Sequence, residues 1–355
     1  MLKKIIILGT GGTIGGTAAV ATDHTGYTAA QIGVEQLVSA VPGLLATLQG
    51  HALHCEQVAQ LDSKDMDFST MARLAARCLH WLGQADVAGI VVTHGTDTLE
   101  ETAYFLHLLV PATKPVVLTC AMRPATSSES DGPRNLRDAI TLVQDARAHG
   151  VLCVCAGDVH LAARVQKRHT YALNAFDSGD AAPVARILPA MASSGAVPAP
   201  SDGPQVVWNS VSSPFLEQKE AESAMEYAQA AIKSIVDLAS WPRVEIILNH
   251  AGAGAALVRD LLATQGEPVR GIVAAGTGNG TLNSDLQAAL VLAQARGVQV
   301  VRSTRCVQGS VMATANDSLP HASQSGYAKA RIAMVLQLAG ARQPASFLVP
   351  QTPAL

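Results

Sequence analysis

The chain holds 355 residues, enough for two domains of ordinary size, each with its own core. Its net charge of −3 excludes the strong positive field that nucleic-acid binding requires, and 48% hydrophobic against 15% charged residues excludes disorder. Mean hydropathy is +0.23, yet no uninterrupted apolar run reaches the roughly 18 residues of a membrane span, so a soluble globular protein is expected.

The first predicted element is a buried strand over residues 3–8, which breaks at once into Gly9-Thr10-Gly11-Gly12. Its basic start resembles a signal peptide, but the apolar run is too short and no small-residue cleavage site follows. Together with six cysteines set largely in apolar runs and read as free thiols, this points to the cytoplasm. Further strands are predicted over 90–93, 116–119 and 151–154. All are continuously apolar, as parallel strands covered on both faces are. Thr98-Leu99-Glu100-Glu101 predicts a capping box, followed by an apolar stripe of Leu99, Ala103, Leu106 and Val110. Another helix opens at Gly132-Pro133 and runs to about residue 149. Residues 188–214 read as loop by composition, and 215–239 as one long helix. Strands return at 244–248, 271–275 and 298–301, with Ser284-Asp285-Leu286-Gln287 capping a helix between the last two and a closing helix over 326–339. The expected fold is α/β with two domains of mostly parallel sheet. The larger covers residues 1–190 and the smaller 243–355, with a linker and long helix over 191–242.

Parallel α/β sheets bind ligands beyond the carboxyl ends of their strands. Three such ends are rich in glycine, hydroxyl and acidic residues: 9–17, 93–98 and 121–133. The first lacks both the G-x-G-x-x-G spacing of a dinucleotide site and the lysine of a P-loop, so its clustered hydroxyls favour catalysis by a hydroxyl. Thr10 and Thr96 end two neighbouring strands and are expected to face one cleft. Asp97 would orient a base or hold an ammonium group. Lys167 would be that base if burial lowers its pKa. Singly, each residue reads as structural. A metal site built from His51, His54, Cys55, His160 or His169 is disfavoured, because the first three lack the i, i+4 helical spacing.

In combination, Thr10-Gly11-Gly12-Thr13-Ile14, the segment 93–102, Ala121-Met122-Arg123-Pro124 and Asp131-Gly132-Pro133-Arg134-Asn135-Leu136 closely resemble the bacterial-type L-asparaginase and glutaminase-asparaginase family. Weaker likeness at 278–282 and 301–305 extends the resemblance over most of the chain. The resemblance implies hydrolysis of a side-chain amide to a carboxylate and ammonia through an acyl-enzyme, without a cofactor. It implies Thr10 as nucleophile and Tyr27 as the lid tyrosine that activates it. Thr96, Asp97 and Lys167 match a second triad with Lys167 as base, and Ser63 matches the holder of the substrate's α-carboxylate. Residues 15–28 would form the lid. The only partners implied are a small-molecule amide and further copies of the chain, in a dimer or tetramer with sites near subunit interfaces.

Three departures bear on the substrate. Lys64 stands where the family usually has glutamine, Asn316 where a neighbouring subunit usually supplies a glutamate, and Gly252 where an asparagine is usual. Two cations at about 4 Å repel by roughly 4 kcal/mol at an effective dielectric of 20. If Lys64 faces the substrate's α-ammonium, the preferred amide would lack that group. A binding protein without turnover is the competing reading. An amidotransferase subunit is less favoured, because no extra domain precedes Lys3.

Overall fold

The computed structural model describes residues 2–111, 113–189, 204–209, 218–314, 317–322, 326–341 and 348–349. It divides into two compact units, Met1–Val236 and Asp237–Leu355. Among the described residues, no helix is long and apolar enough to cross a membrane.

The first unit is built on β1 (Lys4–Gly11), whose Ile5, Ile6, Ile7 and Leu8 are fully buried. Side chains alternate across a strand, so a run that is apolar at every position needs cover on both faces. The strands that follow are β2 (Ala52–Leu61), β3 (Val87–Thr93), β4 (Pro115–Thr119), β5 (Gly150–Cys155), β6 (Asp158–Leu161), β7 (Ala185–Leu188) and β8 (Gln205–Trp208). They form one sheet in the order β8-β7-β6-β5-β4-β3-β1-β2. Pairing is parallel from β5 through to β2 and antiparallel from β5 out to β8. Helices α1 (Phe68–Leu82), α2 (Leu99–Leu109), α3 (Gly132–Gln144) and α4 (Gln218–Ile235) pack around it. On one face α3 joins Ile5, Ile7, Val91 and Val117 in a single cluster. The long helix α4 packs against α1 and α2 through Ala228, Ala231, Ile232 and Ile235.

The second unit has a smaller sheet of β9 (Val244–Leu248), β10 (Gly271–Gly276), β11 (Gln299–Thr304), β12 (His321–Ala322) and β13 (Leu348–Val349), in that order. Its pairs are parallel except the last. Helices α5 (Ala256–Ala263), α6 (Ser284–Ala295) and α7 (Tyr327–Leu338) complete it.

Local chemistry corrects three expectations. The helix from Gly132 stops at Gln144, because the Asp145 carboxylate turns to the amide and guanidinium of Arg147. The helix over 284–295 is capped by Asn283, whose side chain accepts from the amides of Asp285 and Leu286. The capping box at Thr98 does not form. The Thr98 hydroxyl donates instead to the Ser63 carbonyl at 2.7 Å, tying two loops of the candidate site together.

Candidate active site

From β1 the chain passes to β2 on one side, and from β3 to β4 on the other. The crevice at this reversal lies beyond the carboxyl ends of β1 and β3. Gly11 (φ 101°) and Gly12 (φ 86°) turn the chain sharply there, into backbone conformations that residues with a Cβ seldom adopt. The Gly12 amide donates to the Leu61 carbonyl at 2.9 Å, fastening the turn to the end of β2. Gly12 also packs directly on Gly95: a Cβ on Gly12 would overlap the Cα and N of Gly95, and one on Gly95 would overlap the Ser63 hydroxyl. The Gly12 and Gly95 loops therefore meet backbone to backbone, with the Ser63 side chain of the third loop packed against Gly95.

This geometry separates the two threonines of the first loop. Thr10 is still within β1, is 1% exposed, and donates its hydroxyl to the Thr93 carbonyl of β3 at 2.9 Å. It ties the two strands together, and Tyr27 is not its hydrogen-bond partner. After the glycine turn, Thr13 starts a short 3-10 turn over Thr13–Gly15, and its Oγ1 lies 2.7 Å from the Tyr27 hydroxyl. Tyr27 comes from an antiparallel ribbon that pairs Thr17–Ala18 with Tyr27–Thr28. Gly16 leaves the room that its ring requires. In this structure Tyr27 is hydrogen-bonded to Thr13, three residues beyond Thr10. The motif contains both hydroxyls three residues apart, and the two consecutive glycines between them are the available sign that only the second leaves the strand.

Beyond β3, Thr96 is 5% exposed and Asp97 follows it. Lys167, in the ribbon pair Gln166–Lys167 and Phe176–Asp177, places Nζ 2.9 Å from Thr96 Oγ1 and 2.7 Å from Asp97 Oδ1. The Lys167 amide donates to the Glu100 carboxylate at 3.1 Å, a positioning contact that the sequence reading missed. Ser63 is buried, and its hydroxyl accepts from the Asp97 amide at 3.2 Å. Thr96, Asp97, Lys167 and Ser63 therefore meet in one hydrogen-bonded group. Lys64 behaves differently. Its ammonium lies 2.6 Å from Asp62 and 3.4 Å from Asp65, and the carboxylate of Asp97 is taken by Lys167. Asn316 lies outside the described residues. No group of three His, Cys, Asp or Glu side chains poised to hold a metal occurs among the described residues.

His94 lies beneath these loops, fully buried, with Nδ1 2.7 Å from the Gly95 carbonyl. Burial holds its pKa down at about 4, so the ring is neutral and donates through Nδ1. Between about pH 6.5 and 4 the unfolded chain binds a proton that folded His94 does not. Stability is therefore lost on acidification through that window, by at most about 1.4 kcal/mol per pH unit. Urea unfolding at pH 7 and pH 5 should lose this component of the pH dependence in His94→Gln; equal pH dependence in variant and parent would show that His94 contributes none of it.

The model of the asparaginase N-terminal domain matches residues 4–195, and that of the glutaminase/asparaginase C-terminal domain matches residues 243–347. The chain is 34% identical to L-asparaginase 2 of Bacillus subtilis (strain 168), covering 97% of this chain and 84% of that protein. It is 33% identical to the glutaminase-asparaginase of Pseudomonas fluorescens biotype A, covering 87% and 77% respectively. Among solved structures, a probable cytoplasmic L-asparaginase from Campylobacter jejuni superposes with a TM-score of 0.78 at 32% identity, over 95% of both chains.

Proposed function

This chain belongs to the asparaginase family, and we propose that it hydrolyses the side-chain amide of L-asparagine, and also of L-glutamine, through an ester formed on Thr13. One observation carries this reading: two threonine hydroxyls stand at adjacent strand ends, one against the Tyr27 hydroxyl and the other against Lys167 Nζ, across the Gly12–Gly95 contact.

In the first half-reaction, Thr13 Oγ1 attacks the amide carbon as its proton passes to the Tyr27 oxygen and the Tyr27 hydroxyl hands its own proton to the leaving nitrogen. The C–N bond breaks, the nitrogen leaves as ammonia carrying that proton, and the acyl group remains as an ester. In the second, water adds to the ester, the C–O bond to Thr13 breaks, and the free acid departs. Thr96 and Lys167 supply the second hydroxyl–amine relay, with the Asp97 carboxylate fixing the Lys167 amine. Backbone amides of the two glycine-threonine loops are the available donors for the developing oxyanion. Ser63 and Asp97 are suited to the substrate's α-carboxylate and α-ammonium.

Lys64 is pertinent to the substrate. Its charge is met by Asp62 and Asp65, so it does not press on Asp97, and free asparagine is the expected substrate. Exposed ion pairs contribute at most about 1 kcal/mol, so Lys64→Gln should change KM for asparagine by less than about fivefold. A much larger gain in affinity would favour an amide without a free α-ammonium.

The deciding assay is ammonia release on L- and D-asparagine, L-glutamine, succinamate and N-acylated asparagine. Thr13-dependent turnover of free L-asparagine supports the proposal. Turnover confined to succinamate or the acylated amide would move it to a retuned substrate. Silence across the panel would favour a binding protein.

A further inference from the structure

The segment that carries Tyr27 is fastened by a side chain that no step of the proposed reaction uses. His24 stands in the lid, with its side chain only 14% exposed. Its Nδ1 lies 3.1 Å from the Tyr171 hydroxyl, and the two rings stack with centroids 6.5 Å apart. The nearest charges to the imidazole are the Glu129 carboxylate, 4.0 Å from Nε2, and the neighbouring Asp23, whose carboxylate accepts from the amides of Thr25 and Gly26.

Tyr171 is itself fixed from below. The Arg123 guanidinium lies 4.0 Å over its ring and donates to its carbonyl at 3.0 Å. Arg123 is 7% exposed, and its amide is held by Asp131 at 2.9 Å, so this platform is anchored in the unit's interior. Tyr171 also lies on the connection between Gln166–Lys167 and Phe176–Asp177, four residues beyond Lys167. His24 thus joins the segment bearing Tyr27 to the segment bearing Lys167. Other ties hold the lid to the neighbouring loop: the Ala18 amide on Thr126 Oγ1 at 2.9 Å and the Ser128 amide on the Ala21 carbonyl at 3.2 Å.

We propose that His24 and Tyr171 are positioning residues whose contact latches the lid over Thr13 and couples its closure to the loop that holds Lys167. The proposal rests on the catalytic reading of Tyr27 and Lys167 given above. Losing one hydrogen bond of ordinary net strength changes an opening equilibrium about fivefold.

The test uses the full-length chain, with hydrogen exchange followed by mass spectrometry without substrate and ammonia release from L-asparagine alongside it. Tyr171→Phe keeps the ring under Arg123 but removes the hydroxyl, and His24→Leu removes the imidazole. Each should speed exchange across residues 17–28 about fivefold and lower kcat/KM by a similar factor, with residues 4–11 unchanged. His24→Asn keeps a hydrogen-bonding atom near the Nδ1 position and should restore both readouts. Unchanged lid exchange in Tyr171→Phe and His24→Leu overturns the latch. Faster exchange with unaltered kcat/KM overturns the positioning role. Faster exchange in variants of a parent that releases no ammonia leaves the latch standing and removes the proposed reaction instead.

Discussion

Thr13→Ala should abolish ammonia release, by at least about 10⁴-fold in kcat, at no more than the roughly 1 kcal/mol of stability that one hydrogen bond carries. The hydroxyl lost is the one that lies 2.7 Å from the Tyr27 hydroxyl, and removing a nucleophile leaves only what binding and oxyanion contacts supply. Thr10→Val gives the opposite pattern. That hydroxyl bridges β1 to the Thr93 carbonyl, so its loss costs about 1 kcal/mol of stability and leaves most of the turnover. Steady-state ammonia release and urea midpoints on both variants separate the two. If Thr10→Val were silent and Thr13→Ala active, the nucleophile would have to be reassigned to Thr10.

Lys167→Met should lower kcat by about 10³-fold, within the usual range for removing a general base. Methionine keeps the apolar stem but removes the amine that reaches Thr96 at 2.9 Å and Asp97 at 2.7 Å. Asp97 is half exposed, so losing its partner should have little effect on folding. Lys167→Arg sharpens the result. A guanidinium keeps the positive charge but does not give up its proton, so it should not restore activity. Recovery with arginine would mean that charge alone, not proton transfer, is what Lys167 supplies.

The parts of the fold that the sequence made legible are those where burial is two-sided. Continuous apolar runs at 3–8, 90–93, 116–119 and 151–154 became the parallel centre of the main sheet, each extended by one to three residues at one or both ends. β2 was harder to see, because an edge strand has one partner, and over Ala52–Leu61 every residue is half-buried or exposed. The antiparallel strands β6, β7 and β8 are four residues each, too short for a period to emerge. Within the site, Thr96 and Asp97 stand in the 93–102 segment that carries the family resemblance, whereas Lys167 and Ser63 lie outside every such segment and follow only from what the resemblance implies. Which threonine meets Tyr27 was not identifiable, since that depends on two successive positive φ angles and not on residue type. The same holds for Lys64. Its expected effect on Asp97 assumed a side chain aimed at the cleft, whereas Asp62 and Asp65, both within two residues, capture it locally.

The Gly12–Gly95 contact carries a consequence for how this site can vary. Most steric conflicts in a protein can be relieved by a second substitution that trims the opposing side chain. Here an added methyl at position 12 would meet main-chain atoms of Gly95, which no replacement at position 95 makes smaller. Trimming a side chain therefore cannot relieve that overlap, and a methyl at position 12 requires the backbone of one loop to move. Variation in substrate preference is therefore expected at exposed rim positions such as Lys64 and Asp65, which touch neither glycine.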